Sequence, residues 1–176
     1  MTLQINTLKK YPNPIFVETG SSRGDGIALA LQCGFNKIFS TEINPEKHKY
    51  CQERFSSEIN SGTVNLVLGD SINTFPSILK KINQPTTFWL DAHWDDGPKG
   101  EFLCPLVTEI KLINSHPINC HTLLIDDRRC FSTGTTWGKT ITENEVMSAI
   151  SQSNVKYNIT YEDGFIPEDI IAVTYG

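Results

Sequence analysis

No stretch of this sequence approaches the roughly 18 consecutive apolar residues of a membrane-spanning helix, and residues 1–10 hold no apolar run of signal-peptide length. A membrane partner is therefore not expected, and a cytoplasmic location is. Cysteine is sparse: Cys33, Cys51, Cys104, Cys120 and Cys130 are odd in number, widely spaced and without a C-x-x-C pair. That argues against both a disulfide framework and a zinc knuckle, and they read as small apolar fillers in a reducing compartment. Positive charge is in deficit, with 15 Lys and Arg against 20 Asp and Glu for a net charge of −5, and the basic residues are scattered. The phosphate-neutralising surface of a duplex binder is absent, which makes a nucleic-acid partner unlikely. Internal repeats, low-complexity tracts and linkers are missing as well, and 176 residues suit one domain, 1–176, with one active site.

What is present is a rhythm. Short β-rich apolar runs at residues 15–18, 37–42, 64–68, 86–90 and 121–125 alternate with helix-like stretches. Their hydrophobicity is continuous rather than alternating, the mark of strands buried on both faces of a parallel sheet. Residues 26–32 read as a helix stopped by Gly34. Asn44 and Pro45 open a second through about Ile59, with Tyr50, Phe55 and Ile59 able to face inward. Ser71 or Asn73 caps a third, which must hold Pro76 in its first turn; residues 103–113 form a fourth. Thr142 with Glu145 resembles a capping box for a fifth, through Ser151. Residues 156–162 and 170–175 are two last strands without room for a helix between them. The predicted architecture is a Rossmann-like, doubly wound α/β fold: a mostly parallel seven-stranded sheet with a C-terminal antiparallel hairpin.

In such sheets ligands sit beyond the carboxyl ends of the strands. The informative residues cluster there. After the first strand comes Glu18-Thr19-Gly20-Ser21-Ser22-Arg23-Gly24-Asp25-Gly26, where Gly20 and Gly24 permit a tight turn and close backbone approach. The spacing is neither the dinucleotide G-x-G-x-x-G nor a P-loop. The second strand ends in Glu42, which either accepts hydrogen bonds from both ribose hydroxyls of an adenosine or is a solvated acid capping the next helix. The third ends in Gly69-Asp70-Ser71; an acid here takes a proton from an adenine amino group or serves as a helix N-cap.

The fourth strand ends in Asp91-Ala92-His93-Trp94 and the fifth in Asp126-Asp127-Arg128. Adjacent carboxylates at a buried strand end repel one another and resist desolvation, so they call for a cation. Asp91, Asp126 and Asp127 offer three hard oxygen ligands, suited to Mg²⁺, Mn²⁺ or Ca²⁺ rather than zinc. The other reading pairs Asp127 with Arg128 or Arg129. His93 is a ligand, a general base or a satisfied histidine.

In this order, Glu18-x-Gly20, Glu42, Gly69-Asp70-Ser71, Asp91, Asp126-Asp127 and the final hairpin make nearly the whole chain resemble the class I S-adenosylmethionine-dependent methyltransferases. The Leu90-Asp91 and Ile125-Asp126-Asp127 pairings look most like the metal-dependent O-methyltransferases, including those acting on sugar hydroxyls of natural products. The resemblance implies that Glu18, Gly20 and Ser22 line the methionine end of S-adenosyl-L-methionine, with Asp91 beside them. Glu42 would hold its ribose, and Asp70 with Ser71 its adenine. The long N-terminal region with which many metal-dependent members cover their substrate is missing, so a lid would come from residues 95–100, residues 132–138 or another subunit of a homo-oligomer. No N-P-P-[YF] motif follows the fourth strand, which argues against methylation of amino groups on adenine or glutamine.

The expected chemistry is in-line methyl transfer to a hydroxyl of a small molecule or sugar, assisted by a divalent cation, with Asp91 or His93 as the base and Lys99 a distant third. Trp94 and Trp137 are candidates to stack on the acceptor, and Glu101 and Arg128 to fix its polar groups. Three alternatives stay open: a metal-independent methyltransferase with His93 as sole base, a non-catalytic module binding S-adenosylmethionine or adenosine, and a nucleotide-sugar transferase.

Overall fold

The computed structural model describes residues 2–93, 104–131 and 141–176. Its sheet is built from β1 (Ile15–Thr19), β2 (Lys37–Glu42), β3 (Val64–Leu68), β4 (Thr86–Leu90), β5 (Thr122–Ile125), β6 (Tyr157–Glu162) and β7 (Ile170–Tyr175). The seven strands lie in the order β3-β2-β1-β4-β5-β7-β6. β1 to β5 pair in parallel, while β7 enters antiparallel between β5 and β6. This is the α/β, doubly wound sheet with a closing hairpin that the apolar rhythm predicts.

Helices pack on both faces: α1 (Ile5–Leu8), α2 (Asp25–Gln32), α3 (Pro45–Arg54), α4 (Ser56–Asn60), α5 (Ser71–Leu79), α6 (Leu106–Asn114) and α7 (Glu143–Ser151). Successive strand residues point to opposite faces, so the apolar runs feed two cores at once. Val17, Phe88, Leu123 and Val173 pack with Phe75 and Ile78 of α5, Ile110 of α6 and Val146 of α7. Phe16, Trp89, Leu124 and Ala172 pack with Leu8 of α1, Ile27 of α2 and Cys51 of α3. The edge strands depart from the continuous pattern: most of β3 is only half-buried, and β6 is largely exposed.

Local signals set most helix ends. Asn44 caps α3 by accepting from the amides of Glu46 and Lys47, with Pro45 at the first helical position. Both halves of the Thr142–Glu145 capping box form at α7. The single helix expected through Ile59 is two, broken at Phe55 (φ −114°, ψ 28°), whose buried ring lies against Gly24. Tyr50 does not face inward; it is 51% exposed, while Cys51, one helical turn before Phe55, takes the buried place. The cap of α5 is Asp70 rather than Ser71 or Asn73, and Pro76 falls in the helix interior, not its first turn. All five cysteines are free thiols, and Cys120 is exposed rather than a filler. No helix among the described residues is long and apolar enough to cross a membrane.

The segment before β1 ties distant parts together. The Thr2 hydroxyl donates to Asp126 Oδ2, and Tyr11 Oη donates to Glu162 Oε1 at 2.8 Å. Lys10 pairs with the same Glu162.

At the amino ends of β4 and β5, opposite the rim expected to hold the site, two histidines form a relay. The Thr86 amide donates to His121 Nδ1 at 3.2 Å, which leaves the proton of the neutral ring on Nε2. That nitrogen lies 3.1 Å from His116 Nδ1, and His116 Nε2 lies 3.1 Å from the Leu79 carbonyl. Burial, and next the neighbouring His116, pushes His121 down to about 4 from its ordinary 6.5. The unfolded chain therefore takes up a proton at His121 more readily than the fold does, so stability is complete above about pH 6.5 and drains away as pH falls toward 4. His121→Asn keeps an acceptor for Thr86 but cannot titrate; thermal melts between pH 4 and 7 are expected to show a shallower loss of Tm in this variant. An unchanged slope would assign the acid sensitivity elsewhere.

Candidate functional site

The turn after β1 is shaped by backbone geometry. Gly20 (φ 89°) and Gly24 (φ 80°) occupy the left-handed region, as does Ser22 (φ 46°). The amides of Gly20 and Ser21 both donate to the Thr41 carbonyl, at 3.0 and 2.9 Å, which folds the turn against the end of β2. A side chain at Gly20 would press on the backbone of Asp91 and Ala92, with its Cβ 3.4 Å from the Asp91 carbonyl oxygen. The β1 and β4 ends thus meet at one rim.

Glu18 and Glu42 stand on either side of this turn. Glu42 is 5% exposed and accepts from the amides of Ser22 (2.7 Å) and Asn44 (2.9 Å). It is not a solvated cap, because Asn44 fills that role. Its carboxylate clamps the glycine turn to the β2 end. Glu18, 2% exposed, accepts from the Ser40 hydroxyl at 2.7 Å, and Ser40 in turn meets Ser21 Oγ. Burial pushes Glu18 up to about 8; the Ser40 hydrogen bond opposes this and the charges of Glu42 and Asp25 add to it. The other oxygen of Glu18 lies over Gly26, where a Cβ would come within 1.9 Å of it.

At the β3 end, Asp70 Oδ1 accepts from the Ile72 amide at 3.0 Å, the ordinary N-cap role. Ser71 is buried and its hydroxyl lies beside Glu109 of α6, so toward solvent it can offer only backbone. Three apolar side chains that the motif reading overlooked stand exposed at this corner: Ile43 after Glu42, Leu68 at the last position of β3, and Ile72 in the first turn of α5. Leu68 pairs with Glu42 in register. An apolar residue immediately after a strand-end acid was the signal available in the sequence.

The acids of β4 and β5 gather in two neighbouring groups. Asp91, His93 and Asp127 bring ligand atoms within 4.8 Å of one another. Asp126 falls in the second group, with Asp127 and Asp169, a residue the sequence reading did not select. Asp127 joins both. Its backbone takes φ 61°, a conformation Asp tolerates better than most residues, where the chain enters a 3₁₀ turn over Arg128–Cys130. Asp126 Oδ1 accepts from the Asp127 amide at 2.8 Å. Burial raises Asp91 well above the usual carboxylate range, with Asp126 and Asp127 adding repulsion, and burial pushes Asp126 up to about 6.

The arginine pairing considered for Asp127 is also present: Arg129 Nη2 lies 2.7 Å from Asp127 Oδ1, and Arg129 bonds Asp169 as well. Arg128, a candidate for fixing the acceptor, is instead engaged with Glu143 at 3.0 Å and stacked over Tyr161. His93 Nδ1 lies 3.1 Å from the Asp91 carbonyl and 3.7 Å from its carboxylate. Asp91, Asp126, Asp127, Cys104, Glu109 and Phe131 line a narrow cleft of about 10 Å³, the size of a single water molecule. Trp94, Lys99, Glu101 and Trp137, with segments 95–100 and 132–138, lie outside the described residues.

No family model matches the sequence, and no curated protein does. Solved structures do match. An O-methyltransferase from Bacillus cereus in complex with S-adenosylhomocysteine superposes with a TM-score of 0.69 at 9% identity, covering 98% of this chain and 78% of its own. The fold is that of the class I methyltransferases. The S-adenosylhomocysteine-bound methyltransferase PaMTH1 of Podospora anserina gives 0.67 at 14% identity, covering 98% and 76%. A candidate rRNA methylase of Clostridium thermocellum gives 0.63 at 12%, covering 100% of both chains.

Two tests follow from Glu18. Helix propensity alone would make Gly26→Ala stabilising by up to about 1 kcal/mol, yet the methyl must displace a buried carboxyl, so a lower Tm is expected. In a Glu18→Ala background the same substitution is expected to become neutral or stabilising; equal losses in both backgrounds would rule out the clash. Because Glu18 holds a proton in the fold up to about pH 8 but only to about 4.5 when unfolded, its contribution is complete below pH 4.5 and is lost as pH rises toward 8. Glu18→Gln should flatten that decline in melts of the ligand-free protein.

Proposed function

We propose that the chain is a single-domain, S-adenosyl-L-methionine-dependent methyltransferase that methylates a hydroxyl of a small molecule, a sugar among the candidates, with help from a divalent cation. The observation that carries the reading is the convergence of the β1, β2 and β4 ends on one rim in a methyltransferase fold whose matched structures include two bound to S-adenosylhomocysteine. Along that rim Gly20 lets a ligand approach the backbone, Glu42 presents its carboxylate for a ribose, and Ile43 and Ile72 offer apolar faces beside Asp70 for an adenine. Ser22 and Glu18 border the methionine end.

When bound, the donor supplies a methyl group on a sulfonium. The acceptor oxygen forms the new bond to carbon as the carbon–sulfur bond breaks, and the electron pair stays on sulfur. Asp91 and His93 sit where they can receive the proton that the acceptor hydroxyl loses. The donor set also fits a cation of the Mg²⁺, Mn²⁺ or Ca²⁺ kind: oxygen ligands dominate, and of the carboxylates of Asp91, Asp126, Asp127 and Asp169 the Arg129 guanidinium pairs with those of Asp127 and Asp169. Asp91 and Asp127 would hold it, with Asp126 behind them, which leaves the base role to His93. Bound there, such an ion would lower the pKa of an acceptor hydroxyl.

Calorimetry with S-adenosylmethionine, followed by methyl-transfer assays over sugar and phenol acceptors before and after chelation, tests the reading. Binding, turnover and its loss on chelation are expected, and Asp127→Asn should cost about tenfold or more in turnover while leaving cofactor affinity nearly unchanged. Full activity without metal removes the cation from the proposal, and absence of cofactor binding removes the rest. A second reading, methylation of RNA, draws support from the full-length match to the Clostridium chain, although the net charge of −5 weighs against it. Structured RNA belongs in the acceptor panel for that reason.

A further inference from the structure

Helix α6 carries an acid on its buried stripe. Leu106, Ile110 and Ile113 recur at helical spacing and are buried, and Glu109 lies among them at 1% exposure. A core position of this kind calls for an apolar residue, since a carboxyl there is costly unless it is paired. Glu109 is poorly paired. Its Oε2 accepts from the Thr19 hydroxyl at a long 3.4 Å, and its Oε1, fully buried, has no hydrogen-bond partner among the described residues. Ser71 Oγ nearby is likewise buried without one. Burial pushes the carboxyl up to about 7, with the Ser71 and Thr19 hydroxyls opposing and the charge of Asp70 adding a little.

The position is specific. Thr19 ends β1, immediately before Gly20; Ser71 opens α5, immediately after Asp70; and Glu109 lines the cleft that Asp91 also lines. The three meet beneath the rim, on the face of β1 opposite Glu18. Glu18 has a 2.7 Å hydrogen bond from Ser40 to compensate it. Glu109 has the long Thr19 bond and the Ser71 hydroxyl to compensate it, and its Oε1 has no hydrogen-bond partner among the described residues.

We propose that Glu109 is a positioning residue for the methyl donor, a buried carboxyl beneath the β1–β4 rim that compensates the positive charge of the donor sulfonium. This rests on the methyltransferase reading. Donor and spent product differ by one positive charge at sulfur, so a negative group held beneath that atom in a poorly solvated setting favours the donor over the product. It also gives the unpaired oxygen a purpose: its desolvation is tolerated in the empty protein and offset when a cation arrives. Glu109 touches no reacting atom; it biases which form of the cofactor is held.

The experiment compares S-adenosylmethionine with S-adenosylhomocysteine by calorimetry on the wild type and on Glu109→Gln, which keeps the shape and hydrogen-bonding capacity but not the charge. The donor is expected to bind about five- to twentyfold more weakly to the variant, and the product to stay within about twofold. Glu109→Met, which suits the apolar stripe, should show the same selective loss together with a raised Tm. Equal weakening of both ligands, or no change in either, overturns the inference while the methyltransferase reading stands. A wild type that binds neither ligand overturns both.

Discussion

Negative charge brought out of water at one end of a parallel sheet is the constraint around which this protein is organised. Five strands run the same way with helices on both faces, and in such sheets ligands bind beyond the carboxyl ends. Into that narrow region the chain places Glu18, Glu42, Asp91, Asp126, Asp127 and, from α6, Glu109. Each loses hydration there, and the fold answers each differently. Glu42 is given two backbone amides, Glu18 a serine, and Asp127 and Asp169 a guanidinium. Among the described residues the compensation of Asp91 and Glu109 is incomplete, with His93 3.7 Å from the first and a long threonine bond on the second. A protein that keeps such groups buried gives up stability for them, and the positions where compensation is incomplete are where an external cation has most to contribute.

The glycine turn and the acids depend on one another. Gly20 and Ser21 hang on the Thr41 carbonyl, Ser22 on Glu42, and Glu18 on the space that Gly26 leaves empty. The left-handed residues are therefore held by partners on two neighbouring strands rather than by the turn alone. A turn held this way is preorganised: its shape is set before anything binds, which lowers the ordering cost of binding.

Much of this was readable in the sequence, and what was not has identifiable causes. The strand ends were legible because apolar runs stop abruptly at Glu18, Glu42, Asp91 and Asp126. The capping residues of α3 and α7 were legible because their bonds are local. Tyr50 was misplaced because Cys51, one helical turn before Phe55, shares its face toward Gly24, a residue distant in sequence. The division of labour between Asp126 and Asp127 was hidden because it follows from a left-handed backbone at Asp127. Asp169 escaped notice since only the antiparallel insertion of β7 carries it to the β5 end. Glu109, by contrast, was visible as an acid on an apolar helical stripe, a pattern overshadowed by the strand-end motifs.

The clamp made by the segment before β1 joins parts of the chain far apart in sequence. Thr2 bonds Asp126, and Lys10 with Tyr11 grips Glu162, so this one segment touches both the β5 acids and the closing hairpin. The residue just before β7, Asp169, sits beside those acids. Contacts of such high sequence separation carry a high loop-closure cost, so the acidic corner is completed late in folding. An intermediate in which the hairpin has not docked would carry the glycine turn without a finished β5 corner.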